Sequence, residues 1–254
     1  MLNKDRAVVV FSGGQDSTTC LYYAKQNFKE VFAVTFNYGQ RHQAELKAAE
    51  TIAKMAGVDH EIINLGEGIL KGTSPLVNKN EELDQYEDHH SLPGGLEKTF
   101  VPMRNQLFLT IAANRAYILG CNNLVTGVCQ EDYGGYPDCR REFIDSLEDT
   151  CSYGTFTGEP ETLPNLNIIT PLMNLTKAQT VKLAQSLPGC MEALAYSHTA
   201  YDGKYPPTGK DHASLLRAKG FEEADVPDPL VVRAVKEGLM EWPDTPNYRK
   251  ELRS

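Results

Sequence analysis

Short apolar runs alternate with longer amphipathic stretches along most of this chain. The run AVVVF at residues 7–11 is continuous and β-branched, which predicts a strand buried on both faces. Residues 17–27 read as a helix, residues 30–37 as a second strand, and residues 43–56 as a helix whose apolar positions stop before Gly57. A third strand is predicted at residues 61–65. Strand-helix-strand order of this kind predicts an α/β fold: a parallel sheet with helices on both faces. Ligands of such sheets gather at the carboxyl ends of the strands.

Regular patterning lapses between residues 66 and 98, a polar stretch that includes NKNEELDQYEDHHS and predicts a long loop. Its neighbouring His89 and His90 have charged, irregular surroundings, so a solvated loop is the expectation there rather than a metal site. Helical spacing returns at residues 105–120, followed by a strand in NNLVTGV, a helix at 141–151, a strand in NIITPL and a helix after Thr176. From Pro188 onward the pattern shifts to loops and short helices. The expected organisation is a nucleotide-binding domain at 1–187 with a helical and loop extension, 188–254, packed on it; the single Trp242 in the tail is a candidate to pack back on the core or across an interface.

With 254 residues, 41% of them hydrophobic, the chain can bury a substantial core. A formal net charge of −9 argues against a general electrostatic grip on nucleic acid and favours a small ligand. No apolar run approaches the roughly 18 residues of a membrane span, and MLNKDR lacks the apolar core of a signal peptide, so a cytoplasmic protein is expected. The six cysteines are scattered without a C-x-x-C pair, which speaks against a disulfide framework.

The first strand leaves through SGGQDS, residues 12–17, straight into a helix. Two glycines let the backbone turn tightly and present N–H groups, and the helix directs its positive end to the same place. That combination cradles an anion. A plain turn, with Ser12 or Asp16 capping the helix, accounts for the residues equally well at this point. The string lacks the Gly-Lys-Ser/Thr ending of a Walker loop and the spaced glycines of a dinucleotide fingerprint.

Ser12, Gly13, Gly14, Gln15, Asp16 and Ser17 do resemble the S-G-G-x-D-S pyrophosphate loop of the ATP pyrophosphatase superfamily, in the context after a first strand that the loop requires. VTFNYGQRH at 34–42, FVPMRNQLFL at 100–109 and TGVCQEDYGGYPDCRREF at 126–143 are together similar to the 7-cyano-7-deazaguanine synthases. The likeness runs in order from the first strand to about Lys177 and on through LLRAKGF. It implies an adenine nucleotide alpha-hydrolase-like fold and a carbon–nitrogen ligase that converts 7-carboxy-7-deazaguanine, ammonia and ATP to the nitrile through an adenylated carboxylate and an amide. It also implies Mg²⁺ and a homodimer, with no direct nucleic-acid or membrane partner.

On that resemblance Asp16, Arg104 and Lys177 are the catalytic candidates, with Asp16 also a candidate Mg²⁺ ligand. The nucleotide site extends from the loop to Thr35, Arg104 and Gly127. Tyr38, Gln40, Arg41, Asn105, Tyr136, Asp138, Arg140 and Arg141 are the substrate candidates. Elementary chemistry suits these roles. A guanidinium clamps phosphate or carboxylate, a carboxylate such as Asp138 accepts from the donor edge of a guanine-like base, and an aromatic ring such as Tyr136 stacks on it. His42 is a candidate proton shuttle or a structural histidine.

The chain departs from the family pattern where four C-terminal cysteines usually form a zinc site: Ala200, Thr208, Asp211 and Ser214 stand at those positions, so zinc is not expected. Met103 replaces a common glycine, and Gln130 and Glu131 replace a common Glu-Thr pair. Two alternatives therefore stay open: the same activation halted at 7-amido-7-deazaguanine or passed to another amine, and a nucleotide-binding interaction module without turnover.

Overall fold

A computed structural model describes residues 3–40, 43–72, 74–78, 80–88, 96–130, 136–155 and 165–249. His89, His90, Arg41, His42 and Glu131 lie outside them. The strands are β1 (Asn3–Val10), β2 (Glu30–Asn37), β3 (Asp59–Asn64), β4 (Cys121–Val125) and β5 (Asn167–Ile169). They form one sheet in the order β3-β2-β1-β4-β5, with every pairing parallel. The helices are α1 (Gln15–Asn27), α2 (Ala44–Ala56), α3 (Arg104–Ile118), α4 (Arg141–Thr155), α5 (Lys177–Ser186), α6 (Cys190–Leu194), α7 (His212–Glu223) and α8 (Pro229–Lys236).

Alternation along β1 divides the core. Ala7, Val9 and Phe11 face a cluster with Leu21 of α1, Ile52 of α2, Val181 of α5, Leu194 of α6 and Phe221 of α7. Val8 faces the opposite way, with Val34 and Phe36 of β2, Leu109 and Ala112 of α3 and Ile144 of α4. Removing such side chains from water contributes roughly 1.5–3 kcal/mol each. Helices thus cover both faces, and the segment after residue 188 shares its apolar residues with the first cluster.

Most boundaries fall within a few residues of the sequence reading. α1 starts two residues early, at Gln15, because Gly14 takes the extended N-cap conformation and its carbonyl already accepts from Thr18 N at 3.0 Å. The tail is tied back by Asn247, whose Nδ2 donates to the Val226 carbonyl at 2.9 Å, and within the tail Trp242 meets Tyr248 at a centroid distance of 5.9 Å.

The chain order reverses between β1 and β4, since β1 leads out to β2 and β3 whereas β4 and β5 lie on its other side. A crevice is expected outside the carboxyl ends of those two strands. Residues 12–17 and 126–129 emerge there.

Candidate active site

A cavity of about 380 Å³ opens in this crevice. The turn after β1 forms its floor. Gly13 has φ +81°, and a Cβ there would fall 2.6 Å from Ala49 N and 2.8 Å from the Glu45 carbonyl, so only glycine fits. The Gly13 carbonyl accepts from His198 N at 2.9 Å, which ties the turn to the C-terminal segment. Ser12 Oγ and Ser17 Oγ lie 3.0 Å apart, and Ser17 Oγ also donates to the Gly14 carbonyl at 3.2 Å. Gly127 follows β4 and packs on the same loop, where a Cβ would meet the Asp16 carbonyl carbon at 3.2 Å.

Asp16 does not cap α1. Its Oδ2 accepts from Lys177 Nζ at 2.7 Å, while its Oδ1 is buried without a hydrogen-bond partner. Gln15 Nε2 is buried and unpartnered in the same way. Buried polar atoms seldom go unsatisfied, and both residues line the cavity. Lys177 opens α5, whose start is fixed by a capping box between Thr176 and Gln179.

Arg104 opens α3 behind Met103, a non-glycine residue at φ +65°. Burial works against its charge, but Tyr38, Tyr201, Tyr136 and Asp138 around it outweigh that penalty and hold it cationic. Tyr38, Tyr136 and Tyr201 all have pKa values raised by burial, so each phenol remains a donor at neutral pH. The Phe36 and Phe108 rings stack at 4.4 Å, and Tyr38 tilts onto Phe108 at 5.2 Å, giving the cavity a flat aromatic wall.

Of the candidates read from sequence, Ser12, Gly14, Gln15, Asp16, Ser17, Thr35, Tyr38, Gln40, Arg104, Asn105, Gly127, Tyr136 and Lys177 line this one cavity. The Thr35 hydroxyl is committed, donating to the Phe11 carbonyl at 2.5 Å and lying 2.7 Å from His60 Nε2. Tyr136 OH is 2.7 Å from Thr99 Oγ1.

Asp138, Arg140 and Arg141 are not on the cavity lining. Asp138 turns to the open first turn of α3 instead: Asn105 N donates to its Oδ2 at 3.4 Å, and Asn105 Nδ2 donates to its carbonyl at 3.2 Å. Arg141 pairs with Asp145 one helical turn on, at 3.0 Å, and donates to Thr170 Oγ1 at the end of β5. Arg140 is exposed.

Sequence reasoning missed Glu45 and Tyr201, which also line the cavity, as do His198 and His212. Nothing in QAELKAA distinguishes Glu45 from an ordinary helix-surface acid. Glu45 is only half-buried over the whole residue, but withdrawal of its carboxyl from water raises its pKa to about 7 despite Arg104, although a first-turn position would otherwise lower it. Burial also lowers the pKa of His198, whose Nε2 is 2.8 Å from the Ala200 carbonyl. His212 Nε2 sits 3.5 Å from Glu97 Oε1, and both side chains are buried.

The model of queuosine biosynthesis protein QueC matches residues 6–225. The chain belongs to the QueC family. It is 50% identical over 228 residues to the 7-cyano-7-deazaguanine synthase of Gloeobacter violaceus, covering 89% of this chain and 95% of that one. Identity to the enzyme of the same name from Laribacter hongkongensis is 48%, covering 90% and 95%, and to that from Chromobacterium violaceum 47%, covering 92% and 96%.

None of the four positions at which the family resemblance implies a cysteine holds a thiol in this chain. Ala200 has no ligand atom, and Thr208 Oγ1 donates to Asp202 Oδ2 at 2.9 Å. Both oxygens of Asp211 accept from Ser214, from its N at 3.0 Å and its Oγ at 2.7 Å, which caps α7. No helix among the described residues is long and apolar enough to cross a membrane.

Proposed function

We propose that this member of the QueC family is a 7-cyano-7-deazaguanine synthase, using ATP twice to turn the 7-carboxylate of a deazaguanine into a nitrile. The observation that carries this reading is the joining, in one crevice, of the SGGQDS turn, Arg104 and the Lys177–Asp16 pair, with relatives of about half-identical sequence bearing that name.

A carboxylate is a poor electrophile, so its oxygen must first become part of a leaving group. The carboxylate attacks the α-phosphorus of ATP, pyrophosphate departs, and ammonia displaces AMP to give the amide. The amide oxygen then attacks the α-phosphorus of a second ATP, releasing pyrophosphate and one proton, and loss of AMP with the second proton leaves the nitrile. The turn's N–H groups, the positive end of α1 and Lys177 offset charge on the departing pyrophosphate. Arg104 meets the anionic group being activated. Tyr38 and Tyr136 supply faces and donors for the base, with Gln40 and Asn105 beside them.

Mg²⁺ fits Asp16, whose buried Oδ1 lacks a partner next to the phosphate turn, and would neutralise part of the pyrophosphate charge. A homodimer in the cytoplasm accords with the family resemblance. The decisive experiment is mass spectrometry of products after incubation with 7-carboxy-7-deazaguanine, ATP, Mg²⁺ and ammonium. Nitrile with AMP is expected. Amide alone at full ATP consumption would favour the halted reaction, and ATP binding without AMP release the interaction module.

A further inference from the structure

We propose that Glu45 is the general base of the nitrile-forming half of the reaction, taking the amide protons as the amide oxygen is adenylated and then expelled. This rests on the synthase reading and deepens it. The two halves make different demands. In the first, the attacking carboxylate is already an anion, and the one proton that ammonia sheds in forming the amide can leave on the phosphate of the departing AMP. In the second, the nucleophile is a neutral amide oxygen, and its adduct is a cation until nitrogen gives up a proton.

The step balances without another reactant. The amide oxygen bonds to the α-phosphorus, the bond to pyrophosphate breaks, and one N–H proton passes to the Glu45 carboxylate. That proton leaves to solvent with pyrophosphate. The second N–H proton then goes to the same carboxylate as the C–O bond breaks; the electron pair of the bond leaves with AMP, and the amide oxygen leaves in its phosphate.

Position supports the assignment. Glu45 lies in the first turn of α2, its main chain packed on Gly13 so closely that a Cβ there would be 2.8 Å from its carbonyl oxygen. Its side chain lines the cavity that holds Arg104 and Tyr38, the ionisable groups set about it from α3 and from the end of β2. The other described acid on the lining, Asp16, is engaged by Lys177 at 2.7 Å. The phenols stay protonated, burial lowers the pKa of His198 and makes it a weaker base, and His212 faces Glu97. A carboxyl group that titrates near pH 7 is well matched to proton abstraction at neutral pH.

The test is Glu45→Gln, read as the ratio of amide to nitrile when the reaction starts from 7-carboxy-7-deazaguanine. The ratio should rise about 100-fold over the unsubstituted protein, the scale of a lost general base. Starting from the amide, the unsubstituted enzyme should gain nitrile rate as pH rises through about 7, and that limb should vanish in the variant. Glu45→Asp should restore part of the nitrile rate. Thermal melting at pH 8 controls for folding. The Glu45 pKa is raised in the folded state, so folding favours its neutral form, and the glutamine variant should melt no lower. An unchanged ratio in Glu45→Gln, whether both products fall or neither does, overturns the base assignment alone. Failure of the unsubstituted protein to release amide, nitrile or AMP overturns the synthase reading and this role with it.

Discussion

Lys177 Nζ donates to Asp16 Oδ2 at 2.7 Å across 161 positions of sequence, joining the first helical turn of α5 to that of α1. Two helix N-termini with positive ends therefore converge, and the acid between them is held by the lysine on one oxygen while the other is buried without a hydrogen-bond partner. The arrangement leaves a cationic focus beside the phosphate turn.

Lys177→Met should lower AMP formation by about 10²–10³-fold, the range for losing one preorganised donor to developing charge. The pair is partly exposed, so the change in stability should be small by comparison. Single-turnover AMP release and thermal melting of the same preparation separate the two effects. Equal AMP release from the variant and the unsubstituted protein would remove Lys177 from the machinery.

Gly220 sets where Lys177 can stand. On α7, it faces the start of α5 so tightly that a Cβ would lie 2.7 Å from Lys177 Cβ and 3.1 Å from its carbonyl carbon. Those are near-backbone atoms, which cannot swing aside as a side-chain tip can. Gly220→Ala should therefore move the lysine and slow AMP release, even though alanine is ordinarily the better helix former. Combined with Lys177→Met, the two losses should fall well short of additive, because the second change has no lysine left to displace. A double-mutant cycle on AMP release checks this, and full additivity would show that Gly220 acts by another route.

Arg217 and Asp228 hold the C-terminal segment together. Arg217 Nε and one terminal nitrogen donate to the two Asp228 oxygens at 2.6 and 2.9 Å; that terminal nitrogen also donates to the Leu194 carbonyl at 3.2 Å, and the remaining one donates to the Ser197 and Thr199 hydroxyls, each at 2.8 Å. Both side chains are almost wholly buried. Arg217→Met strands a buried carboxylate, and should cost about 3–5 kcal/mol in chemical denaturation. Replacing both partners with apolar residues should cost less than the single change, since no lone charge then remains.

What was legible in the sequence was what depends on neighbours along the chain. Strand and helix periods, the Gly57 stop, the SGGQDS turn and the order of the family motifs are local, and all recur in the fold. Pairings across the sheet were not legible. Asp138 looked like a base reader because it sits in a turn after a strand, yet α3, opening some 33 positions earlier, leaves its Asn105 N–H groups for that residue to satisfy. Arg141 had a nearer clue in Asp145, an i,i+4 partner on the same helix. Glu45 offered none. Its altered titration arises from desolvation beside a turn centred on Gly13, far upstream in the chain, which no pattern within α2 encodes.

The loop before α7 should hold its shape without zinc. At the four positions where the QueC family usually places cysteines, this chain has an alanine, a threonine bonded to Asp202, and an Asp211–Ser214 pair that caps α7. A capping pair of this kind is worth about 0.5–2 kcal/mol, whereas a closed zinc site holds such a loop far more strongly. The loop's anchorage must then come from several weak contacts, among them Tyr86 N to the Lys210 carbonyl at 2.8 Å and Tyr205 OH to Glu237 at 2.8 Å. Two results should follow. Metal analysis of purified protein should find zinc well below one per chain, and a strong chelator should leave the melting temperature unchanged. Asp211→Ala, by contrast, should lower it, because it opens the first turn of α7 next to the cavity wall formed by His212 and Ala213. Stoichiometric zinc that stabilises the fold would require ligands other than the four positions named, and would return the anchorage of this loop to a metal.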